Sequence, residues 1–526
     1  MPHRGPRVSP VEGALLAALA VWALFPLALL LIHAGRLHAQ FTGADGLIGA
    51  DGVLGADQLQ YLAWARDASA HGGLAADLFS FSQGGHVYLQ PMFALTAGLY
   101  RLGVSLPIAY LVWKPLGIIA LLLAAVAWAR RFFATELAAR AAVVTLAVFL
   151  CTPLAAMYSW TQWADGRFRF QLYLLSDELL AADKLWGYVP SALGVALVPM
   201  ALLALERALD PDRGRAVATR PLLVAVLASG LASWLHPWQG ITLGLIYVGL
   251  AVLRRSRQWP AVALCAVGAG LPLLYYYLLS HHDPAWQLAS HYEVIRRFPL
   301  TVLLAGFGPL ALIAAFGVRR PDGVLMEQAL LLWAAGGFIT YFANDSFAPH
   351  AFQGLSFPFA VLAVRAWRRL RLPAVLGVAA VALVTIPGLA FNARKFVRTA
   401  RSDKLVQYFL PTADGHALDW VNGHAPPGGI LAPTPFAAVV PSRTGRPVWV
   451  GHGYWSRDYP VQAREVDRLF DGHMSATASR AFVASTGATI LVSDCRHPRD
   501  LSRRLGPRLA TVHTFGCARV YLLKRA

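Results

Sequence analysis

Long apolar runs alternate with short polar stretches over most of the chain. Apolar spans are read at 11–32, 106–129, 138–158, 188–205, 222–235, 241–253, 261–279, 300–316, 325–342, 350–366 and 374–389. Most approach the length a helix needs to cross the hydrocarbon of a bilayer. The run 91–102 is too short for that and predicts a short or partly inserted segment. The tract 222–253 is interrupted by Trp234-Leu-His-Pro-Trp-Gln239, where two spans meet. The first run follows Arg4 and Arg7 and so resembles a signal peptide. Its length, its lack of a small-residue cleavage site and the spans after it predict a retained first helix instead. Beyond residue 391 the pattern changes. Residues 392–526 are richer in Pro, Gly and charge, with strand-like runs at 429–432, 447–451, 489–492 and 519–523 bounded by turn residues. Helical stretches at 461–470 and 479–485 separate them, and a segment of this length can bury its own core. The pattern predicts a multi-span domain over 1–391 and a small α/β or α+β domain over 392–526.

The polar loop 34–90 holds Gly52-Val-Leu-Gly-Ala-Asp-Gln-Leu-Gln-Tyr-Leu-Ala-Trp-Ala-Arg-Asp67. As a helix from about Ala56, it puts Asp57, Gln60, Tyr61 and Trp64 on one side and Leu59, Leu62 and Ala63 on the other. One oily side and one acid-bearing aromatic side predict an interfacial helix.

Composition turns this pattern into a class. The 526 residues are 57% hydrophobic and 14% charged, about half the charge of an ordinary soluble domain. The chain is therefore a multi-pass membrane protein. The formal net charge of +18 does not indicate nucleic acid, because Lys and Arg lie in short clusters between apolar spans. Arg4/Arg7, Arg130/Arg131, Arg213/Arg215, Arg254/Arg255/Arg257, Arg319/Arg320 and Arg368/Arg369/Arg371 fall on one side if there are about eleven crossings, and the positive-inside bias makes that side cytoplasmic. This predicts a cytoplasmic N-terminus, with the first loop, 159–187, the His236 turn, the Asn344-Asp345 turn and the C-terminal domain all exterior.

Cys151 and Cys265 lie inside spans, whereas Cys495 and Cys517 share the exterior domain, where an oxidising environment permits a bridge. No spacing resembles a zinc site and no glycine-rich stretch resembles a phosphate loop. Polar residues in costly places carry more information. Lys114, in Tyr110-Leu-Val-Trp-Lys-Pro115, would either snorkel to the surface or meet an anion such as a lipid phosphate. His236 and Gln239 sit at the prolyl junction of two spans, and His350 follows Asn344-Asp345-Ser346 at the mouth of another. The segment 159–187 contributes Trp160-Thr-Gln-Trp-Ala-Asp-Gly-Arg167 and the acids Asp177, Glu178 and Asp183. Alternating aromatic and polar groups suit a bilayer interface, and they also suit a sugar site that would include Asp165.

A first span, an exterior loop with an acid opening an interfacial helix, a Pro-led apolar segment, many spans and an exterior α/β tail together resemble the GT-C class of integral-membrane glycosyltransferases, in an actinobacterial-type member. Ala56-Asp57-Gln58 to Trp64 with His86-Val-Tyr-Leu-Gln-Pro91 resembles the catalytic loop of that class, and Thr444-Gly-Arg-Pro447 with Gly451-His-Gly-Tyr-Trp455 resembles tails of its members. The resemblance implies a polytopic α-helical protein of GT-C-like architecture with an exterior α/β domain. It implies a polyprenyl-phosphate sugar as donor and an envelope glycan, lipid or protein as acceptor, handled among membrane lipids. Asp57 would be the general base, with Asp51 the second candidate. Tyr61, Trp64, Lys114, Asp165, His236, Gln239 and His350 would bind substrate. No cofactor is certain, and a divalent cation could sit at clustered acids without ligand spacing to indicate it. Two other classes stay open: a transporter or lipid-handling protein lined by Lys114 and His236, and a non-catalytic membrane protein with the tail as its binding module.

Overall fold

The structure is a computed structural model that describes residues 9–46, 55–81, 84–161, 166–209, 215–254, 259–292, 297–320, 324–400 and 407–524. Among the described residues, 8 helices are long and apolar enough to cross a membrane, from Pro10–Leu37 to Ala374–Ala400. The other spans expected from the sequence fall on shorter helices, Leu137–Phe149, Pro237–Arg254 and Ser356–Arg369. The shortening has local causes. The expected 138–158 span stops at Phe149 and a new helix begins at Pro153, where proline supplies no N–H to continue the first. The expected 350–366 span begins with a short 3₁₀ turn over Ala348–Phe352, followed by Gly354 at φ +82°, a backbone conformation suited to glycine.

The chain divides into two compact units. The first comprises Met1–Phe25, Trp113–Tyr277 and Val294–Phe396. Its helices are apolar on most sides, so they bury against one another, and Trp128, Trp333 and Phe357 are fully enclosed. Close approach depends on small residues: a Cβ on Gly268 would lie 2.8 Å from the Val226 carbonyl oxygen of the neighbouring helix. Proline is accommodated by donors from outside the helix. Pro26 has no N–H for the Trp22 carbonyl, and Trp186 Nε1 donates to that oxygen at 2.7 Å. The adjacent Ala23 carbonyl accepts from Lys114 Nζ at 2.9 Å.

The second unit comprises Pro26–Val112, Leu278–Glu293 and Val397–Ala526. A two-stranded ribbon pairs β1 (Gln40–Phe41) with β2 (Phe409–Leu410). A four-stranded sheet follows, built from β3 (Ile430–Leu431), β4 (Ile490–Ser493), β5 (Leu509–Phe515) and β6 (Ala518–Leu523) in the order β3-β4-β6-β5. Only β3 and β4 run parallel. Gly516, at φ +62°, turns the chain between β5 and β6. The amphipathic helix Tyr459–Phe470 buries Val466, Leu469 and Phe470 with Leu491 and Tyr521 of the sheet in one core. Cys495 and Cys517 form the disulfide that the sequence permits, closing the loop over the hairpin.

The Gly55–Ala70 helix belongs to this unit and does not keep the one oily and one polar side read from its sequence. Gln58, Gln60 and Asp67 are buried along with Leu59, Leu62 and Ala63. The polar groups are covered because they have partners: Gln58 Oε1 accepts from the Asp45 backbone N–H at 2.6 Å. The Pro91–Arg101 helix packs nearby, started by Pro91 and capped by Gln90, whose side-chain oxygen accepts from the Phe93 N–H.

Candidate active site

Asp57 lies in the first turn of the Gly55–Ala70 helix, at the positive end of the helix dipole, where a carboxylate is favoured. Its Oδ1 is 3.0 Å from Nε2 of His452. The opposite ring nitrogen settles the tautomer. The Tyr454 backbone N–H donates to His452 Nδ1 at 3.2 Å, so Nε2 carries the hydrogen that His452 donates to Asp57. The imidazole is also held from its own backbone. The Gly451 and His452 N–H groups both donate to Ser456 Oγ, which in turn donates to the Phe79 carbonyl at 2.7 Å. His452 is 2% exposed and Asp57 retains 22% exposure of its side chain, so a buried donor presents a reachable carboxylate.

Two turns along the same helix, Trp64 anchors an aromatic group. Its ring stacks on Trp286 with centroids 6.3 Å apart and meets Tyr88 and Trp455 edge-on at 4.6 and 5.2 Å. Tyr61 stacks on Phe93 at 5.2 Å. A carboxylate beside flat apolar faces is the pairing a sugar needs, with hydroxyls to hydrogen-bond and a C–H face to cover.

Asp77, in the segment after this helix, is buried. Its Oδ1 accepts from the Phe79 N–H at 2.9 Å, and Oδ2 has no partner among the described residues. Burial pushes its carboxyl up to about 8, the nearby Asp283 adds to the rise, and the Phe79 N–H works against it. The folded chain therefore holds a proton that the unfolded chain releases, and the associated stability is full below about pH 4 and lost as pH rises towards 8. Asp77→Asn removes this dependence. Its melting temperature is expected to gain steadily on the parent's between pH 5 and 8, by the equivalent of a few kcal/mol (~3), and parallel curves would refute a buried neutral carboxyl.

The first unit holds a separate polar cluster. Glu178 Oε2 accepts from Lys184 Nζ at 3.3 Å and from His350 Nδ1 at 3.1 Å, and Gln353 Nε2 donates to the same oxygen. Burial opposes this charge, but His350, Lys184 and the Gln353 hydrogen bond outweigh it and hold Glu178 well below the usual carboxylate range. The His350 ring lies 5.4 Å from His236 and edge-on to Trp238, and Gln239 Nε2 donates to the Gln353 carbonyl at 2.8 Å. His236 is buried, and among the described residues neither of its ring nitrogens is bonded and Gln239 Oε1 and Gln353 Oε1 are likewise without partners. Burial, with the His350 and Lys184 charges, keeps His236 well below its ordinary value and hence neutral. Buried polar groups normally find a partner, so this concentration is where a ligand or water would be met. Lys114 is 1% exposed, so its ammonium does not snorkel. Asp177 and Asp183 are also internal, both accepting from Asn392.

Of the predicted residues, Asp57, Tyr61 and Trp64 therefore come together in the second unit and His236, Gln239 and His350 in the first, while Lys114 is bonded elsewhere in the first. Asp51 and Asp165 lie outside the described residues. Sequence reasoning left His452, Trp286, Glu178 and Gln353 unassigned. Among the described residues, Asp67, His71 and His86 also each bring a ligand atom within 4.8 Å of the others, a grouping able to hold a metal ion.

No protein-family model and no curated protein matches the sequence. Solved structures do match it. ArnT from Cupriavidus metallidurans bound to undecaprenyl phosphate aligns with a TM-score of 0.50 and 14% identity, covering 95% of this chain and 97% of that one. The oligosaccharyltransferase of Archaeoglobus fulgidus in the apo form aligns with a TM-score of 0.49 and 14% identity, covering 92% of this chain and 71% of that one. The likeness to ArnT is one of fold, and the chain has the GT-C-like membrane architecture that the sequence resemblance implies.

Proposed function

We propose that this chain is an inverting glycosyltransferase that moves a sugar from a polyprenyl-phosphate donor to an acceptor hydroxyl of an envelope glycan, lipid or protein at the exterior membrane face. The observation that supports it best is the reachable Asp57 carboxylate, held by the His452 Nε2–H beside the Trp64 aromatic group. The fold is that of ArnT, a protein solved with undecaprenyl phosphate bound.

In the reaction, a lone pair on the acceptor oxygen forms the bond to the anomeric carbon from the face opposite the phosphate. The bond from that carbon to the phosphate oxygen breaks, and its electron pair leaves with the lipid phosphate. Asp57 accepts the hydroxyl proton as the new bond forms and later returns it to solvent. His452 remains a neutral donor that fixes the carboxylate's orientation. Tyr61, backed by the buried Trp64, covers the sugar ring, with Asp165 as a further ligand to its hydroxyls and Asp51 as the second candidate base. In the first unit, a neutral buried His236 beside Gln239 and His350 offers an anion one N–H without adding charge. A single displacement inverts the anomeric centre.

The test is incubation of the purified chain with a panel of undecaprenyl-phosphate sugars and a hydroxyl acceptor. Released undecaprenyl phosphate and an inverted product by NMR are expected. A retained configuration, or no release from any member of the panel, overturns the reading.

A further inference from the structure

The sequence shows no metal motif, yet the fold assembles a compact donor set away from Asp57. Asp67 lies in the last turns of the Gly55–Ala70 helix, His71 follows just past its end, and His86 comes from the returning segment before the Pro91–Arg101 helix. The return is pinned by the backbone: Ala75 N donates to the Tyr88 carbonyl at 2.8 Å and Tyr88 N to the Ala75 carbonyl at 3.0 Å. His71 Nδ1 is 3.1 Å from Asp67 Oδ1 and His86 Nδ1 is 2.9 Å from Asp67 Oδ2. The two imidazoles lie face to face, with centroids 3.5 Å apart and planes 19° from parallel. The Ala76 N–H donates to Asp67 Oδ2 at 2.8 Å, an outer partner of the kind that orients a metal-binding carboxylate.

Two readings compete for this geometry. Without an ion, each Nδ1–H is a hydrogen-bond donor, His86 to the carboxylate and His71 shared with the Asp67 carbonyl at 2.9 Å. With an ion, both Nδ1 atoms are bare and the stacked rings splay so that each lone pair meets it together with a carboxylate oxygen. The second accounts for three ligand atoms gathered within 4.8 Å of one another on two exposed rings and one buried carboxylate. Both rings bring Nδ1 to the Asp67 carboxylate, and at 40% and 38% side-chain exposure neither is enclosed. The carboxylate beneath them is 4% exposed. Two imidazole nitrogens are borderline donors, and with one carboxylate oxygen they suit zinc-type ions rather than calcium or magnesium.

We propose that Asp67, His71 and His86 bind one divalent transition-metal ion of the zinc type, with solvent completing its coordination. The ion would clip the end of the helix that carries Asp57 to the segment leading into the Pro91–Arg101 helix. Asp57 stands almost three turns back along the helix, so the ion takes no part in the proposed transfer, and this inference does not rest on that reading.

The test uses the full-length protein without a histidine tag, stripped with chelator and titrated with Zn²⁺ against a chromophoric competitor, with bound metal counted by mass spectrometry. His71→Gln and His86→Gln change partly exposed side chains and leave the backbone pairing of Ala75 with Tyr88 intact. One equivalent in the parent is expected, with affinity at least ~10-fold weaker in each variant. Co²⁺ in place of Zn²⁺ gives a second readout, a visible absorption present in the parent and lost in both variants. Equal uptake by parent and variants, or no uptake by the parent, overturns the proposal in favour of a hydrogen-bonded cluster.

Discussion

Asp57→Asn protein is expected to transfer sugar about 10²–10⁴ times more slowly than the parent, the usual contribution of a positioned general base, at an unchanged melting temperature. The variant keeps the oxygen that accepts from His452 Nε2–H, 3.0 Å away, so the local hydrogen bond and the first turn of the helix survive. What it lacks is a group that can take the acceptor's proton. A helix-capping role predicts the opposite, because Asn caps nearly as well as Asp, and both rate and stability would then stay near parental. His452→Gln separates chemistry from orientation. It should slow transfer less than Asp57→Asn and add little in the double variant, since a positioning donor has nothing to position once the base is gone. Near-parental turnover by Asp57→Asn moves the assignment to Asp51, and an active Asp51→Asn as well would leave the mechanism without a base.

Parts of this architecture are legible in residue patterns and parts are not. Apolar runs locate the spans because membrane helices must satisfy their backbone internally and present apolar side chains outward. The Cys495–Cys517 bridge was readable as two cysteines in one small domain. Asp57, Tyr61 and Trp64 can be grouped from the sequence because they share a helix, and helical spacing is a local property. His452 was not assigned. It lies 395 positions from Asp57, and no periodicity encodes a contact that distant, although the Gly451–Trp455 stretch around it resembles tails of the GT-C class. The Gly55–Ala70 helix shows the converse limit. Its alternation reads as an interface helix, yet Gln58 and Asp67 are buried by partners from residues 45, 76 and 86. Polarity along a chain shows that a side chain needs a hydrogen bond and leaves open whether water or protein supplies it. The metal-type cluster escaped for the same reason, since His71 and His86 have no ligand spacing until the backbone return brings them together.

Glu178→Gln is expected to cost roughly 3–5 kcal/mol, the usual penalty for removing one partner of a buried ion pair. Glu178 and Lys184 are 4% and 5% exposed, so the loss of one charge leaves an ammonium in a protein interior with no solvent to receive it. The amide cannot repair the site. Glu178 Oε2 accepts from Lys184, His350 and Gln353 together, and an amide oxygen in its place carries no negative charge to offset the Lys184 ammonium. The pH dependence follows from the same contacts. Because the folded carboxyl lies well below the usual range, its stabilisation is full above the unfolded value of about 4.3 and shrinks as pH falls further. The gap in melting temperature between parent and variant should therefore be constant from pH 8 to about 5 and narrow below that. Lys184→Met in the Glu178→Gln background should recover part of the loss, because it removes the charge left unpaired. A Glu178→Gln protein that melts with the parent at pH 7 would mean that Lys184 reaches solvent or another acceptor, and that the buried pair is not what holds His350 beside His236.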